Sequence, residues 1–504
     1  MKQRKISVIL SYLAQIIHIL TAIFYTPIML KILGQSEYGT YQLVESVVSY
    51  LSLFSLGFGA SYVRFYAQYR AQNDEDNIAR LNGMYMVIFC FLGLLAAIGG
   101  IAMLNNIHRL FGTGLSDGEY SLAKLLMGIM VVNIVFTFPL SVFDGMVTAH
   151  EELIFQKLLL VMQYLLNPFL TLPLLLLGYG SVGMVLVTSF LLVVKAIFNI
   201  YFCFKKLCVK FCFRKFKLGL LLELSSFTFF IFLNQVIEQI NWSVDKFLLG
   251  RMSGTVSISV YSLAAQLNSI YIQFSSAVSE AFVPKIYRMI AEETDDSEIS
   301  KLFIKVGRVQ FIILGLIISG YILFGKEFIC IWVGENYKES YYIGLLLLIP
   351  ITIPLIEGIG VQIQRAKNRH QTRSIVYFII AIANILISIP LIKWKGAVGA
   401  AIGTCIALIL GHGLFMNYYY QYKLNISIKT FAINILKMIP ALILPVVTGI
   451  LLNQFMRKSP NLVQLLLKII VYSIAYCASI YYLAMNYEEK TLIHSLFRKK
   501  TKTD

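Results

Sequence analysis

The stretch DEDNIARL at residues 74–81 returns as DDSEISKL at residues 295–302, and the two copies align without a gap. Three shorter matches precede it in the same order. They pair KILG at 31–34 with KFLLG at 246–250, YQL at 41–43 with YSL at 261–263, and RFY at 64–66 with KIY at 285–287. The chain therefore repeats itself, and two similar halves around a central site are a common design of membrane transporters.

The composition indicates a membrane protein. Hydrophobic residues make up 58% of the 504 residues and charged residues 14%, whereas a soluble domain carries roughly a quarter charged residues. The apolar runs are continuous and long enough for helices that cross a bilayer, which need about 20 residues. We predict an all-α polytopic membrane protein with about fourteen transmembrane helices. The spans are predicted at approximately 7–30, 39–62, 82–104, 122–147, 157–177, 181–203, 219–244, 257–282, 306–325, 341–364, 374–392, 397–419, 432–453 and 465–485.

The net charge of +17 follows the predicted topology. Lys and Arg cluster in alternate connections, among them 205–217, 285–308 and 365–373. Cytoplasmic loops carry such an excess, so we predict a bacterial cell (inner or plasma) membrane protein with both termini in the cytoplasm. The basic residues also suit anionic membrane lipids, and no nucleic-acid partner is predicted.

The repeat predicts the domain organisation. Residues 1–212 are expected to form an N-lobe and residues 213–425 a C-lobe, each with about six spans; residues 426–490 add two spans and residues 491–504 a basic cytoplasmic tail. Matching ends of the repeats fall on the same side of the membrane, so the lobes are predicted to be parallel repeats. No connection is long enough for a soluble domain, and we therefore expect no enzyme.

Polar side chains within the spans fall on shared helix faces. In the seventh span the stripe covers an arc of roughly 60°, and the eighth span has a similar one. Such stripes either bond packed helices together or line a water-filled cavity. The predicted cavity residues are Gln15, Glu45, Arg64, Asn234, Glu238, Asn241, Gln266, Gln273, Glu280 and Lys285, with further candidates at Ser49, Ser52, Asn133, Thr137, Ser141 and Asp144.

The charged candidates have alternative interpretations. Glu45 and Glu238 are candidate cation-coupling sites, or carboxyl groups that are protonated or paired with a base. Arg64 and Lys285 suit phosphate oxygens, although near the predicted cytoplasmic ends both can simply reach the interface. Lys195 is expected either to bind an anion or to extend to the membrane surface. The cysteine cluster of residues 203–212 is irregularly spaced, so no metal and no cofactor are predicted.

Several motifs carry a family resemblance. In the first half they are Tyr25-Thr26-Pro27, Leu33-Gly34, Glu37-Tyr38-Gly39 and Tyr41, and in the second half Asn241, Asp245-Lys246, Leu249-Gly250 and Tyr261. With them the chain resembles the polysaccharide transporter family, the O-antigen and capsule repeat-unit flippases of the multidrug/oligosaccharidyl-lipid/polysaccharide exporter superfamily. The resemblance implies two six-helix lobes around a cavity that opens alternately to each side of the membrane.

The resemblance also implies a function. Such a flippase moves a polyprenyl-pyrophosphate-linked oligosaccharide from the cytoplasmic to the outer leaflet, for lipopolysaccharide or capsule synthesis, with glycosyltransferases and a polymerase as partners. The related lipid II flippases use several cavity arginines; this chain has no equivalent deep in its first, second or eighth span, which argues against a peptidoglycan precursor. The alternatives are a cation-coupled multidrug exporter of the same superfamily and a membrane polysaccharide polymerase or ligase.

Overall fold

The computed structural model describes residues 2–55, 58–112, 114–213, 232–233, 235–237, 239–240, 243–367, 369–456 and 461–491, without the side chains of residues 2–5, 8, 58, 60 and 370–372. Its first half consists of α1 (Lys2–Val48), a 3₁₀ segment (Ser49–Ser55), α2 (Phe58–Ala71), α3 (Glu75–Asn105), α4 (Ile107–Phe111), α5 (Asp117–Ala149), α6 (Leu153–Leu176) and α7 (Gly180–Lys205). Residues 243–252 are also helical.

The second half consists of α8 (Thr255–Ala291), α9 (Asp296–Val333), a 3₁₀ turn (Glu335–Tyr337), α10 (Glu339–Ile356), α11 (Gly358–Ala366), α12 (His370–Leu408), a π-helix (Ile409–Met416), α13 (Asn417–Lys423), α14 (Ile428–Leu436), a 3₁₀ turn (Ile439–Leu442), α15 (Ile443–Phe455), α16 (Leu462–Ser479) and a second π-helix (Ile480–Ala484).

Two of the helices are each interrupted by a turn. In α1 the backbone leaves helical geometry at Gly34, whose φ of 73° favours a residue without a Cβ. In α12 the same happens at Lys395 and Gly396, where Gly396 has a φ of 52°. Each turn separates two predicted spans, so that α1 carries the first and second and α12 the eleventh and twelfth.

The described part of the chain contains 10 helical stretches that are long and apolar enough to cross a membrane. Two of them are the stretches with an internal turn and hold two predicted spans each. The eighth predicted span corresponds to α8, whose mean hydropathy is too low for it to be counted among the 10. Most of the seventh predicted span lies outside the described residues. The protein is an all-α polytopic membrane protein, which confirms the predicted fold class.

Local side-chain hydrogen bonds fix where several helices begin. Ser116 and Glu119 form a reciprocal capping box at the start of α5, and Asp74 Oδ1 accepts from the Asn77 amide at 3.0 Å at the start of α3. Caps of this kind stabilise a helix by about 1 kcal/mol. Glu119 also accepts bonds from Ser36 Oγ at 2.5 Å and Thr255 Oγ1 at 2.6 Å, which holds the turn at Gly34 in place.

The chain divides into two compact units, and each has its own core. Unit 1 comprises Met1–Ser262 with Ala381–Ala400, and unit 2 comprises Leu263–Ile380 with Ala401–Asp504. In unit 1, α1 packs on α6 and α5 packs on both α3 and α7. The lobe boundaries drawn from the repeat stay a prediction.

In unit 2, α9 packs against α10, α14 and α16. Among the described residues, three ion pairs join α9 to α16 and the residues after it, one of them between Lys305 and Glu488 at 2.7 Å. Lys468 Nζ lies 2.7 Å from Glu327 Oε2, and Arg308 binds Glu489 through Nε at 2.7 Å and Nη2 at 2.9 Å. The fourteenth predicted span is therefore held against α9 by an ion pair as well as by apolar contact.

Candidate functional site

A polar cavity of about 430 Å³ lies within unit 1. The 3₁₀ segment, α3, α5 and the stretch around residues 235–239 form its wall. The lining residues are Ser52, Leu53, Ser55, Phe89, Ile134, Thr137, Phe138, Ser141, Gln235 and Gln239.

Serine hydroxyls explain why α1 ends in a 3₁₀ segment beside this cavity. Ser46 Oγ donates to the Leu43 carbonyl at 2.7 Å, Ser49 Oγ to the Ser46 carbonyl at 2.7 Å, and Ser52 Oγ to the Ser49 carbonyl at 2.6 Å. Each bond reaches back three residues, the spacing of a 3₁₀ turn. The hydroxyl oxygens keep acceptor capacity for a ligand in the cavity.

Two glutamines complete the polar wall. Gln239 Nε2 donates to Ser243 Oγ at 2.7 Å and also to Ser49 Oγ. Ser55 Oγ donates to Gln235 Oε1 at 3.5 Å, a long bond that leaves this carboxamide available to other partners. The lining residues that the structure describes are uncharged and contain both donors and acceptors, which suits a ligand rich in hydroxyl groups.

A cluster of charged residues lies elsewhere in unit 1, on α1 after the Gly34 turn and on the helical segment 243–252. Lys246 Nζ donates to Gln42 Oε1 at 2.7 Å, and Tyr261 donates to Asp245 Oδ2 at 2.6 Å. The Glu45 side chain is exposed and interacts electrostatically with Lys246. Glu45 thus has a base nearby, and its part in cation coupling stays a prediction.

The remaining predicted cavity residues fall in both units. In unit 1 Gln15 is half-buried and Arg64 is exposed; in unit 2 Gln266 and Gln273 are half-buried, whereas Glu280 and Lys285 are exposed. Asn234, Glu238 and Asn241 lie outside the described residues. The role of all these residues in substrate binding stays a prediction.

The opposite face of α8 carries a second polar row that the sequence analysis missed. Asn268, Tyr271, Ser275 and Ser279 are buried, and Tyr271 and Ser275 bond to α10, with the Tyr271 hydroxyl 2.8 Å from Thr352 Oγ1 and Ser275 Oγ donating to the Leu355 carbonyl at 3.0 Å. This row joins helices, whereas the predicted stripe of α8 is the more exposed one.

The lining of the cavity differs from the sequence analysis in two ways. Gln235 and Gln239 line the cavity although they were not predicted; with Ser243 they follow a four-residue spacing that indicates one helix face. Asn133 was predicted on the stripe of Thr137 and Ser141 but lines a different, apolar surface of α5.

The Lys195 ammonium group forms an ion pair, which neither of its two predicted roles included. Its Nζ lies 2.9 Å from Asp144 Oδ2, and both side chains are about one third exposed. Asn199 Nδ2 donates to the other oxygen of the same carboxylate. Asp144 therefore belongs to a paired cluster. Within the described ranges, no group of three or more His, Cys, Asp or Glu side chains is arranged to hold a metal ion.

The family follows from comparison with known proteins. The chain belongs to the family described as polysaccharide biosynthesis protein, whose model matches residues 5–290. It is 22% identical over 516 residues to the "Uncharacterized membrane protein EpsK" of Bacillus subtilis (strain 168), covering 96% of each chain. The predicted membership of the polysaccharide transporter family is confirmed.

Solved structures define the fold. The lipid II flippase MurJ in an inward closed conformation matches with a TM-score of 0.71 at 18% identity, over 94% of this chain and 97% of that chain. A multidrug resistance MATE family transporter of the MOP superfamily, in an inward-facing conformation, matches with a TM-score of 0.59 at 15% identity, over 79% of this chain and 96% of that one. The chain is therefore a multi-pass membrane protein with the fold of flippases and transporters.

Proposed function

We propose that this protein is a flippase that moves a polyprenyl-pyrophosphate-linked oligosaccharide from the cytoplasmic to the outer leaflet of a bacterial cell membrane. The observation that carries the proposal is the cavity of about 430 Å³, whose described lining includes hydroxyl and carboxamide groups, in a protein of the polysaccharide biosynthesis family. The proposal includes cytoplasmic termini, alternating access, and glycosyltransferases and a polymerase as partners.

The energetics of the cargo explain why such a cavity is needed. A hydroxyl group that enters hydrocarbon without a hydrogen-bonding partner costs roughly 4–8 kcal/mol, and a charged pyrophosphate costs far more. An oligosaccharide headgroup therefore does not cross a bilayer unaided at a useful rate. Ser52, Thr137, Ser141 and the two glutamines offer replacement hydrogen bonds, while the polyprenyl chain stays in the lipid.

The pyrophosphate needs cations as well as neutral donors. Arg64 and Lys285 are exposed and remain the candidates for this contact. Basic residues are scarce in two of the described helices. In α1 after position 8 the single Lys or Arg is Lys31, and α8 has none before Lys285. This scarcity favours a neutral glycan on a lipid carrier over a cargo that is itself highly anionic.

Reconstitution tests the proposal directly. Purified protein in liposomes is expected to expose a fluorescently labelled lipid-linked glycan to a membrane-impermeant quencher faster than empty liposomes do. Thr137→Val removes a cavity hydroxyl and is expected to slow flipping several-fold. Thr188→Val is the matched control, because both threonines are exposed and donate to the carbonyl four residues earlier, at 2.7 and 3.0 Å, but Thr188 does not line the cavity. No acceleration by the wild-type protein with any lipid-linked glycan of its host would refute the proposal.

A cation-coupled multidrug exporter is the second candidate, favoured by the similarity to the MATE transporter. An exporter is expected to lower the accumulation of cationic drugs in a host that lacks its own pumps. A flippase leaves drug accumulation unchanged and instead restores surface polysaccharide in a strain whose own flippase has been deleted.

A further inference from the structure

Unit 2 contains a buried carboxyl group that the proposed flipping cavity does not use. Glu357 joins α10 to α11, three residues after Pro354, and its side chain is 4% exposed. Among the described residues the carboxyl group forms no ion pair, and Oε2 has no hydrogen-bonding partner. An ionised carboxylate in such a place is strongly disfavoured, so this group needs a compensating positive charge or a proton.

A second unsatisfied oxygen lies beside it. The Asn417 side chain interacts with the Glu357 carboxyl group, and its Nδ2 donates to the Gly413 carbonyl at 3.1 Å. Asn417 Oδ1, like Glu357 Oε2, is buried without a donor. A proton on Glu357 removes the buried charge and gives the carboxyl group a donor of its own.

The titratable neighbours of Glu357 come from α12, α13 and the first π-helix. Tyr377 and Tyr420 interact electrostatically with the carboxyl group. His412 Nδ1 lies 3.1 Å from the Tyr377 hydroxyl, and the Arg373 guanidinium lies over the Tyr377 ring, 4.5 Å from its centroid. Arg373, the cation of this cluster, therefore lies over Tyr377 and also acts electrostatically on His412 and Tyr420.

The side chains that α8 and α9 present near Glu357 are neutral. Gln310 of α9 is fully buried and donates to Ser279 Oγ at 2.7 Å. A Cβ at Gly358, the residue after Glu357, would meet that Ser279 oxygen at 2.5 Å and Gln310 Nε2 at 3.2 Å. Ser279 and Gln310, both neutral, therefore pack closely against the backbone beside the carboxyl group.

The backbone around the site is irregular on both sides. Pro350 and Pro354 lie within α10, and His412 and Gly413 lie within the π-helix Ile409–Met416. Prolines loosen the helical hydrogen bonds of the preceding turn, and π-helical turns occur frequently at functional sites. A change of charge on Glu357 therefore acts where the helices are least constrained by their own hydrogen bonds.

We propose that Glu357 is a reversible proton-binding site in unit 2, with Asn417 as hydrogen-bonding partner of the protonated carboxyl group. The carboxylate takes one proton from water, which raises the charge of unit 2 by one. Release of the proton restores the original charge. A proton is proposed rather than a metal cation, because no group of three or more His, Cys, Asp or Glu side chains among the described residues is arranged to hold a metal ion. Coupling of this proton to transport rests on the proposed flippase function.

Infrared difference spectroscopy of the purified full-length protein tests proton binding without any transport assay. All Asp and Glu side chains contribute to the stretching band of protonated carboxyl groups as the pH falls, so the variants are compared by difference: Glu357→Gln is expected to lack one component of the band that wild type and Glu339→Gln both show. Glu339 is the matched control, because it is an exposed glutamate at the opposite end of α10. Glu357→Asp keeps the acid and is expected to restore the band at a different midpoint, which separates proton binding from misfolding of the Gln variant.

Three results would overturn the inference: identical spectra for wild type and Glu357→Gln, a Glu357 band that does not change with pH, or a band abolished at constant pH by sodium and not by potassium. The first two remove the reversible proton and the third makes the site a sodium site.

A transport measurement tests whether proton binding at Glu357 is coupled to flipping of the cargo. An imposed gradient of one pH unit can change the distribution of a one-proton-coupled cargo by up to about tenfold. We expect this response in wild type and Glu339→Gln and its loss in Glu357→Gln. A wild-type protein that flips nothing while its carboxyl band titrates would refute the proposed function and leave the proton site intact.

Discussion

Helix α5 has two faces that differ sharply in polarity. Ile134, Thr137, Phe138 and Ser141 face the polar cavity of about 430 Å³. The other face forms, with α7, an open groove of about 1050 Å³ that is lined almost entirely by apolar side chains. The groove residues are Ser121, Lys124, Leu125, Gly128, Ile129, Val132, Asn133, Phe136, Leu140, Leu186, Ser189, Leu192, Val193, Ala196, Ile197 and Ile200.

This difference indicates how one helix can serve both ends of an amphipathic cargo. Cavity positions on α5 recur at three- and four-residue spacing, and the groove positions do the same on the other side of the helix. Hydroxyls and carboxamides can replace water around a sugar, whereas the groove offers mainly dispersion and hydrophobic contacts. We infer that the cavity takes the headgroup and the groove takes part of the polyprenyl chain of the proposed substrate.

The largest effect is expected in the cavity. Gln239→Leu removes the amide that donates to Ser49 and Ser243, and with it a hydrogen-bond donor for the proposed sugar headgroup. A lost buried hydrogen bond costs about 1–3 kcal/mol, or roughly five- to hundred-fold in rate. Flipping of a lipid-linked glycan in liposomes measures this. A rate within twofold of wild type would mean that the cavity does not carry the headgroup.

An intermediate effect is expected in the groove. Gly128 has open space where a Cβ would stand, so Gly128→Phe fills the groove without disturbing α5. Flipping of a glycan on a full-length polyprenyl carrier is expected to slow several-fold, and flipping of the same glycan on a short-chain carrier is expected to stay unchanged. Gly118→Phe is the control, because Gly118 is equally open but does not line the groove. If flipping slows equally for both carriers, the groove does not bind the polyprenyl chain.

The smallest effect is expected for Asn133→Leu. Asn133 lies on the groove face, and the Thr137 hydroxyl bonds to its backbone carbonyl rather than to its side chain. Flipping and thermal stability are expected to change by no more than about 0.5 kcal/mol, as for a typical exposed substitution. A large loss of flipping would place Asn133 in the headgroup path and break the distinction between the two faces.

The candidate site was predictable from the sequence only in part. Ser52, Thr137 and Ser141 were expected at a cavity and line one. Gln235 and Gln239 were missed, because the sequence analysis chose the row of Asn234 and Glu238. Each glutamine is the next residue in the chain, and on a helix that places it about 100° around the axis from the chosen row. A span with polar residues on adjacent positions does not reveal which row faces the cavity.

Glu357 was missed for a different reason. In the sequence it is one acid near the predicted end of the tenth span, after two prolines, and nothing in its spacing distinguishes it from an interfacial glutamate. Its burial, its lack of an ion pair and the adjacent unsatisfied oxygen of Asn417 depend on how α10, α11 and α13 pack.

The sequence by itself determined that the chain is a helical membrane protein with an internal repeat, and its motifs predicted the family. Hydropathy suffices for this because a chain in lipid must satisfy its backbone within each span, which leaves the helix as the solution for continuous apolar runs. Only the tertiary structure decided which polar residues meet. Contacts between helices depend on the rotation of each about its axis, and packing between segments far apart in the chain fixes that rotation.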